Sequence, residues 1–211
     1  MFYGLMILFA MTIISVLNIV FGCGAQVYEW WKIILIVIAE VVIVIAIDGL
    51  FATVVRWFLP KKWFGVNNDR FCASKKERKI LEKLGIKKWK DKVIELGFFT
   101  SFRKNKISDP KSKEYVERYI LEANYGTLVH LSGMIFGFLV ILICPPSLRL
   151  TVGLPVGIVN LFVNWLSFAI LRYNLPKLFA LYKFNMARIK KEEREKVNPN
   201  DGIDGTTESA E

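Results

Sequence analysis

His130, the only histidine in the chain, stands in E122-A-N-Y-G-T-L-V-H-L-S-G133, where a lysine- and glutamate-rich stretch gives way to apolar sequence. An imidazole can take a proton from an alcohol near neutral pH and hand one to a leaving group. Glu122 precedes it by eight residues. Asp48 lies in another apolar run, and Asn160, Asn164, Ser167 and Asn174 recur at helical spacing in a third. A carboxylate fixes the tautomer of an imidazole and stabilises the imidazolium. An asparagine amide can donate to a developing oxyanion. These are the groups that acyl transfer from a thioester to a hydroxyl requires. No serine or cysteine stands in a G-x-S-x-G signature, which favours direct transfer over a covalent intermediate. The H-x-x-x-x-D motif is absent, since Ile135 holds its last position.

The same residues admit other readings. An intramembrane histidine can serve as a hydrogen-bond partner between helices, and an asparagine stripe as helix-helix glue. Glu40, Asp48 and His130 could instead form the proton or cation path of a small transporter. That reading expects internal repeats or broken helices, and only Gly153 and Pro155 suggest a break. A membrane adaptor whose basic loop recruits a partner is the third reading.

Four apolar runs must position these groups: residues 2–22, 33–55, 125–144 and 150–171. Each approaches the roughly twenty residues that cross about 30 Å of hydrocarbon as a helix. The chain is 54% hydrophobic yet carries a formal charge of +10, with a mean hydropathy of +0.37. Greasy runs separated from basic ones predict an all-α integral membrane protein whose partners are membrane lipid and an anionic co-substrate, not nucleic acid. The first run lacks a positively charged start and reads as a retained span, despite the faint lipoprotein look of V20-F-G-C23. Of the 29 Lys and Arg, eighteen fall between Lys61 and Arg118 and eight from Arg172 onward. The loop 56–122 and both termini are therefore expected in the cytoplasm of a multi-pass cell-membrane protein. Trp30, Trp31, Trp57 and Trp63 flank the second span as interface anchors. Scattered Cys23, Cys72 and Cys144 and one histidine predict no metal site; a Cys23–Cys144 disulfide is a lesser alternative to buried thiols.

At about 1.5 Å per residue, Asp48, His130 and Asn164 each lie roughly 12 Å above the inner ends of their spans. This predicts one polar layer near the cytoplasmic side. Glu40 is expected to be structural or pore-lining. Within the loop, K75-K-E-R-K-I-L-E-K-L-G-I-K-K-W-K-D-K92 reads as one basic amphipathic helix on the inner leaflet, with Ile80, Leu81, Leu84 and Trp89 as its apolar positions. G97-F-F-T-S-F102 would continue that contact. A further helix is expected from Lys111 into the third span, started near Asp109-Pro110. Residues 1–197 read as one membrane domain, K190-K-E-E-R-E-K196 as a solvated helix end, and 198–211 as a disordered tail.

L59-P-K-K-W-F64, R70-F71, I86-K-K-W-K-D91, Y119-I-L-E-A-N-Y-G-T-L-V-H130 and R172-Y-N-L-P-K-L178 resemble the small bacterial membrane enzymes of the glycosyl-4,4'-diaponeurosporenoate acyltransferase family, which acts in staphyloxanthin-type carotenoid synthesis. The resemblance covers roughly residues 40–180. It implies transfer of a fatty acyl group from acyl-CoA or another acyl thioester to a glycosylated lipid; no cofactor is expected beyond acyl-CoA as co-substrate. Glu122 and His130 match the family's acidic and histidine positions. Leu131 and V93-I-E95 depart from the pattern. With the spacing argument, the expected catalytic residues are His130, Glu122 and Asp48. Asn160, Asn164, Arg172, Asn174, Lys88, Trp89 and Lys90 are expected at the substrates, the basic ones on donor phosphates.

Overall fold

The computed structural model describes residues 2–22, 27–93 and 109–197, and every element among them is helical. Four helical stretches, Tyr3–Val20, Trp30–Phe58, Lys113–Ile143 and Pro146–Lys196, are long and apolar enough to cross a membrane. Cys23, and with it the alternative of a Cys23–Cys144 disulfide, the 97–102 stretch and the 198–211 tail lie outside the described residues.

The first two spans are α1 (Phe2–Val20) and α2 (Trp30–Phe58). In α2 the buried residues Ile33, Val37, Glu40, Val44 and Val55 fall on one stripe, flanked by the partly buried Ile36, Val41 and Ile43, while Leu35, Ile38, Val42, Ile45 and Leu50 are exposed. That pattern suits a helix with protein on one side and lipid on the other. Two polar contacts tie α1 antiparallel to the last helical stretch: the Tyr3 and Ser167 hydroxyls meet at 2.8 Å, and Asn18 Nδ2 donates at 2.8 Å to the carbonyl of Thr151, in the turn that leads into the last helix.

Two short helices, α3 (Lys75–Lys83) and α4 (Ile86–Trp89), follow in the basic loop. The single amphipathic helix expected over 75–92 is corrected here. Gly85 adopts φ +72°, a left-handed conformation that glycine takes without steric cost, and it turns the chain between the two pieces. Leu81 and Ile86 bury against Ala169 and Tyr173 of the last helix, and Trp89 packs on Trp165. Ile80 and Leu84 stay 58% and 54% exposed.

The third span begins outside the apolar run. Helix α5 (Lys113–Phe136) is capped by Ser112 Oγ, which accepts from Tyr115 N, while Asp109 Oδ1 accepts from the amides of Lys111 and Ser112. It passes through a 3₁₀ turn at Gly137–Leu139 into α6 (Val140–Ile143). The break suggested by Gly153 and Pro155 is a π turn at Arg149–Gly153. Next comes α7 (Leu154–Val197), 44 residues long, which runs far beyond the expected end of the fourth span. Its extension packs on the start of α5 through Val116, Ile120, Ala123, Leu175, Leu178 and Phe179.

Pro176 lies inside α7 and has no N–H to return to the carbonyl of Arg172. That carbonyl instead accepts from Ala73 N at 3.1 Å, and the Arg172 guanidinium forks onto Glu77 at 2.6 and 2.5 Å. The stretch from Arg172 to Pro176 thus docks the basic loop onto α7 through main chain and side chain together.

Candidate active site

Asp48 on α2, His130 on α5 and Asn164 on α7 meet between the spans. His130 Nδ1 lies 2.8 Å from Asn164 Oδ1, and Asn164 Nδ2 donates to Asp48 Oδ2 at 2.8 Å. Asn164 Nδ2 also faces the carbonyl and side-chain oxygens of Asn160, both at 3.1 Å. Three acceptors around one amide nitrogen fix which end of the amide is which. The Oδ1 end must then face the imidazole, so His130 donates from Nδ1–H and its basic lone pair resides on Nε2. A Coulombic path runs from carboxylate through amide to imidazole, each link a short hydrogen bond. Asn160 supports the arrangement from one turn away, donating to Asp48 Oδ1 at 3.4 Å and to Gly133 O at 3.2 Å.

The approach of the three helices depends on Gly133 of α5 and on Gly137, which opens the 3₁₀ turn after it. A Cβ at Gly133 would lie 2.8 Å from Asn164 Cγ, Asn164 Oδ1 and Asp48 Oδ1. One at Gly137 would run into Asn160 Nδ2. The G133-x-x-x-G137 spacing reads in sequence as close helix packing; its partners here are the polar side chains of the site. Asn160 and Asn164 are buried, while Asp48 and His130 are half-buried.

The other expected site residues fall elsewhere. Glu122 bonds Arg56 at 2.6 Å, bridging α5 and α2 about two helical turns from the imidazole. Arg56 also lies over the Tyr125 ring. The sequence reading did not single out Arg56 as a partner, although its place at the end of α2 was a signal. Glu40 is buried in the opposite half of α2, beside Cys144. Ser167 turns to Tyr3, and Asn174 sits half-buried beyond Arg172. Lys88 is exposed, Lys90 pairs with Asp91 at 2.7 Å, and Trp89 donates from its indole to Leu84 O at 3.1 Å. Arg172 is held by Glu77, whose carboxyl sits below the usual carboxylate range chiefly because of that fork. Glu77 was not singled out in the sequence because nothing local marks a loop glutamate as the partner of an arginine 95 residues away.

A family model for glycosyl-4,4'-diaponeurosporenoate acyltransferase matches residues 55–183. No curated protein and no solved structure matches the chain. The matched region takes in the loop, α5 with His130, and the part of α7 with Asn160, Asn164 and the dock at Arg172 and Pro176; Asp48 lies just before it. More than half of the sequence thus fits a single family model, and the chain belongs to the glycosyl-4,4'-diaponeurosporenoate acyltransferase family.

Proposed function

We propose that the chain moves a fatty acyl group from an acyl thioester, with acyl-CoA as co-substrate, to a sugar hydroxyl of a glycosylated lipid, a carotenoid glycoside being the acceptor its family name points to. The observation that carries this reading is the Asp48–Asn164–His130 relay, built from three separate helices. His130 Nε2 removes the proton of the acceptor hydroxyl as its oxygen attacks the thioester carbonyl. The tetrahedral intermediate then expels the thiolate, which the imidazolium protonates. Asp48 stabilises that imidazolium through the Asn164 amide, so Asn164 and Asp48 act as positioning and electrostatic groups. Glu122 serves to place Arg56. The acyl chain lies between the spans. The loop, the start of α1 and the end of α7 face the cytoplasm, where Lys88, Lys90 and neighbouring lysines meet the donor phosphates.

The test is acyl transfer by purified protein in nanodiscs, supplied with labelled acyl-CoA and glycosylated lipid. His130→Ala is expected to lose about 10²- to 10⁴-fold in turnover, the usual contribution of a positioned general base. Wild-type product formation by His130→Ala overturns the mechanism.

A further inference from the structure

Helix α3 is sorted by charge sign. Both its glutamates are spent on the protein: Glu77 takes the Arg172 fork and Glu82 accepts from the Tyr173 hydroxyl at 2.9 Å. Arg78 lies over the Tyr173 ring, and Leu81 is buried. On the other side Lys76, Ile80, Lys83 and Leu84 form an exposed i, i+4, i+7, i+8 stripe with Lys79 beside it. Two large aliphatic side chains framed by lysines are unlike a face built for water alone.

The depth of the unit is set by its partners. Leu81 and Ile86 rest on Ala169 and Tyr173, flanking Arg172 at the end of the fourth apolar run. Trp89 reaches Trp165, one turn deeper. Helix α3 therefore sits beside α7 at head-group level. From this charge segregation and this depth we propose that the Lys76–Ile80–Lys83–Leu84 face of α3 docks into the anionic head-group layer of the membrane the protein spans. The lysines bind lipid phosphates and the two aliphatic side chains enter the acyl boundary. Because Glu77 of this helix holds Arg172, the lipid surface helps seat the loop on α7. The occupant is the lipid surface, so this stands apart from the donor site at Lys88 and Lys90.

The experiment is hydrogen exchange of peptides covering 75–90, with the full chain in nanodiscs of phosphatidylcholine alone or doped with phosphatidylglycerol. Exchange is expected to slow in the doped discs, by about fivefold for each engaged lysine. The charge reversal Lys79→Glu/Lys83→Glu should abolish the slowing, and Ile80→Ser/Leu84→Ser should weaken it. Lys190→Glu/Lys191→Glu, on the tail of α7, should leave it intact. Unchanged exchange of the α5–α7 core peptides reports that each variant is folded. Equal exchange in both lipids overturns the proposal. So does slowing by free coenzyme A in undoped discs, which would assign the lysines to a soluble phosphate ligand, or slowing that tracks protein concentration, which would assign the face to a second copy. The readout is independent of acyl transfer, so its failure and that of the enzymatic reading are separable.

Discussion

Replacing Gly133 by alanine tests the relay without substituting any of its members. The new methyl carbon would lie 2.8 Å from three atoms of Asn164 and Asp48, where ordinary contact begins at 3.4 Å. The short side chains it meets are fixed between helices, so Asn164 and Asp48 must retreat by about 0.6 Å, the difference between those distances. A shift of that size stretches the 2.8 Å bond between His130 and Asn164 past the range of a sound N–H···O hydrogen bond, which ends near about 3.2 Å. Misplacement approaching an ångström costs turnover about tenfold to a hundredfold, and overpacking should lower stability by about 1–3 kcal/mol. Gly126→Ala is the matched control, since its Cβ would meet only the terminal Cδ1 of Leu171 at 3.0 Å, a methyl free to swing away. Steady-state acyl transfer in nanodiscs, with a thermal melt of each variant, separates the two effects. A folded Gly133→Ala protein with wild-type turnover would show that the 2.8 Å geometry is not what the chemistry needs.

Asp48→Asn should lower kcat at least about tenfold but by less than the roughly 10⁴-fold seen where a carboxylate touches the histidine directly, with KM little changed, because an amide stands between the two groups here; single-turnover kinetics decide this. Glu122→Gln should keep turnover close to wild type and destabilise by only about 0.2–1 kcal/mol, as its ion pair with Arg56 is partly exposed; a loss matching that of His130→Ala would make Glu122 the imidazole's partner after all. The Glu77 carboxyl is held below its unperturbed value of 4.5 by Arg172, so its contribution to loop docking is complete above that value and disappears as pH falls through the lower, folded one. Hydrogen exchange of peptides 75–90 should therefore stay constant from neutral pH to about 4.5 once corrected for intrinsic rates, then rise, and Glu77→Gln should remove that acid transition.

The polar layer was legible because depth follows from sequence once a helix is anchored at an interface. Counting from Arg56, Glu122 and Arg172 places Asp48, His130 and Asn164 at one height whatever the packing. Which carboxylate joins the hydrogen-bond network of the imidazole was not legible. Eight residues along a helix bring Glu122 to the same broad face as His130, but about 12 Å away along the axis, and Arg56 on another helix competes for it. The four spans follow from hydropathy. The length of α7 does not, since a proline at 176 ordinarily argues for an end, and the compensating donor to the Arg172 carbonyl, Ala73 N, belongs to a loop far earlier in the chain. Gly85 was visible inside the basic stretch. Whether it would interrupt the helix depended on Leu81 and Ile86 both finding Ala169 and Tyr173, a tertiary matter.

The carbonyl that Pro176 leaves open bears on how the molecule is assembled. An isolated fourth helix would arrive at the bilayer boundary with an acceptor that its own backbone never fills, an awkward vacancy wherever water is scarce. Its donor belongs to a stretch made much earlier, between the second and third crossings. Synthesis order therefore puts the complementary donor into the chain before the last helix is made. A version split after residue 93 and expressed as two pieces would have to make this junction by encounter.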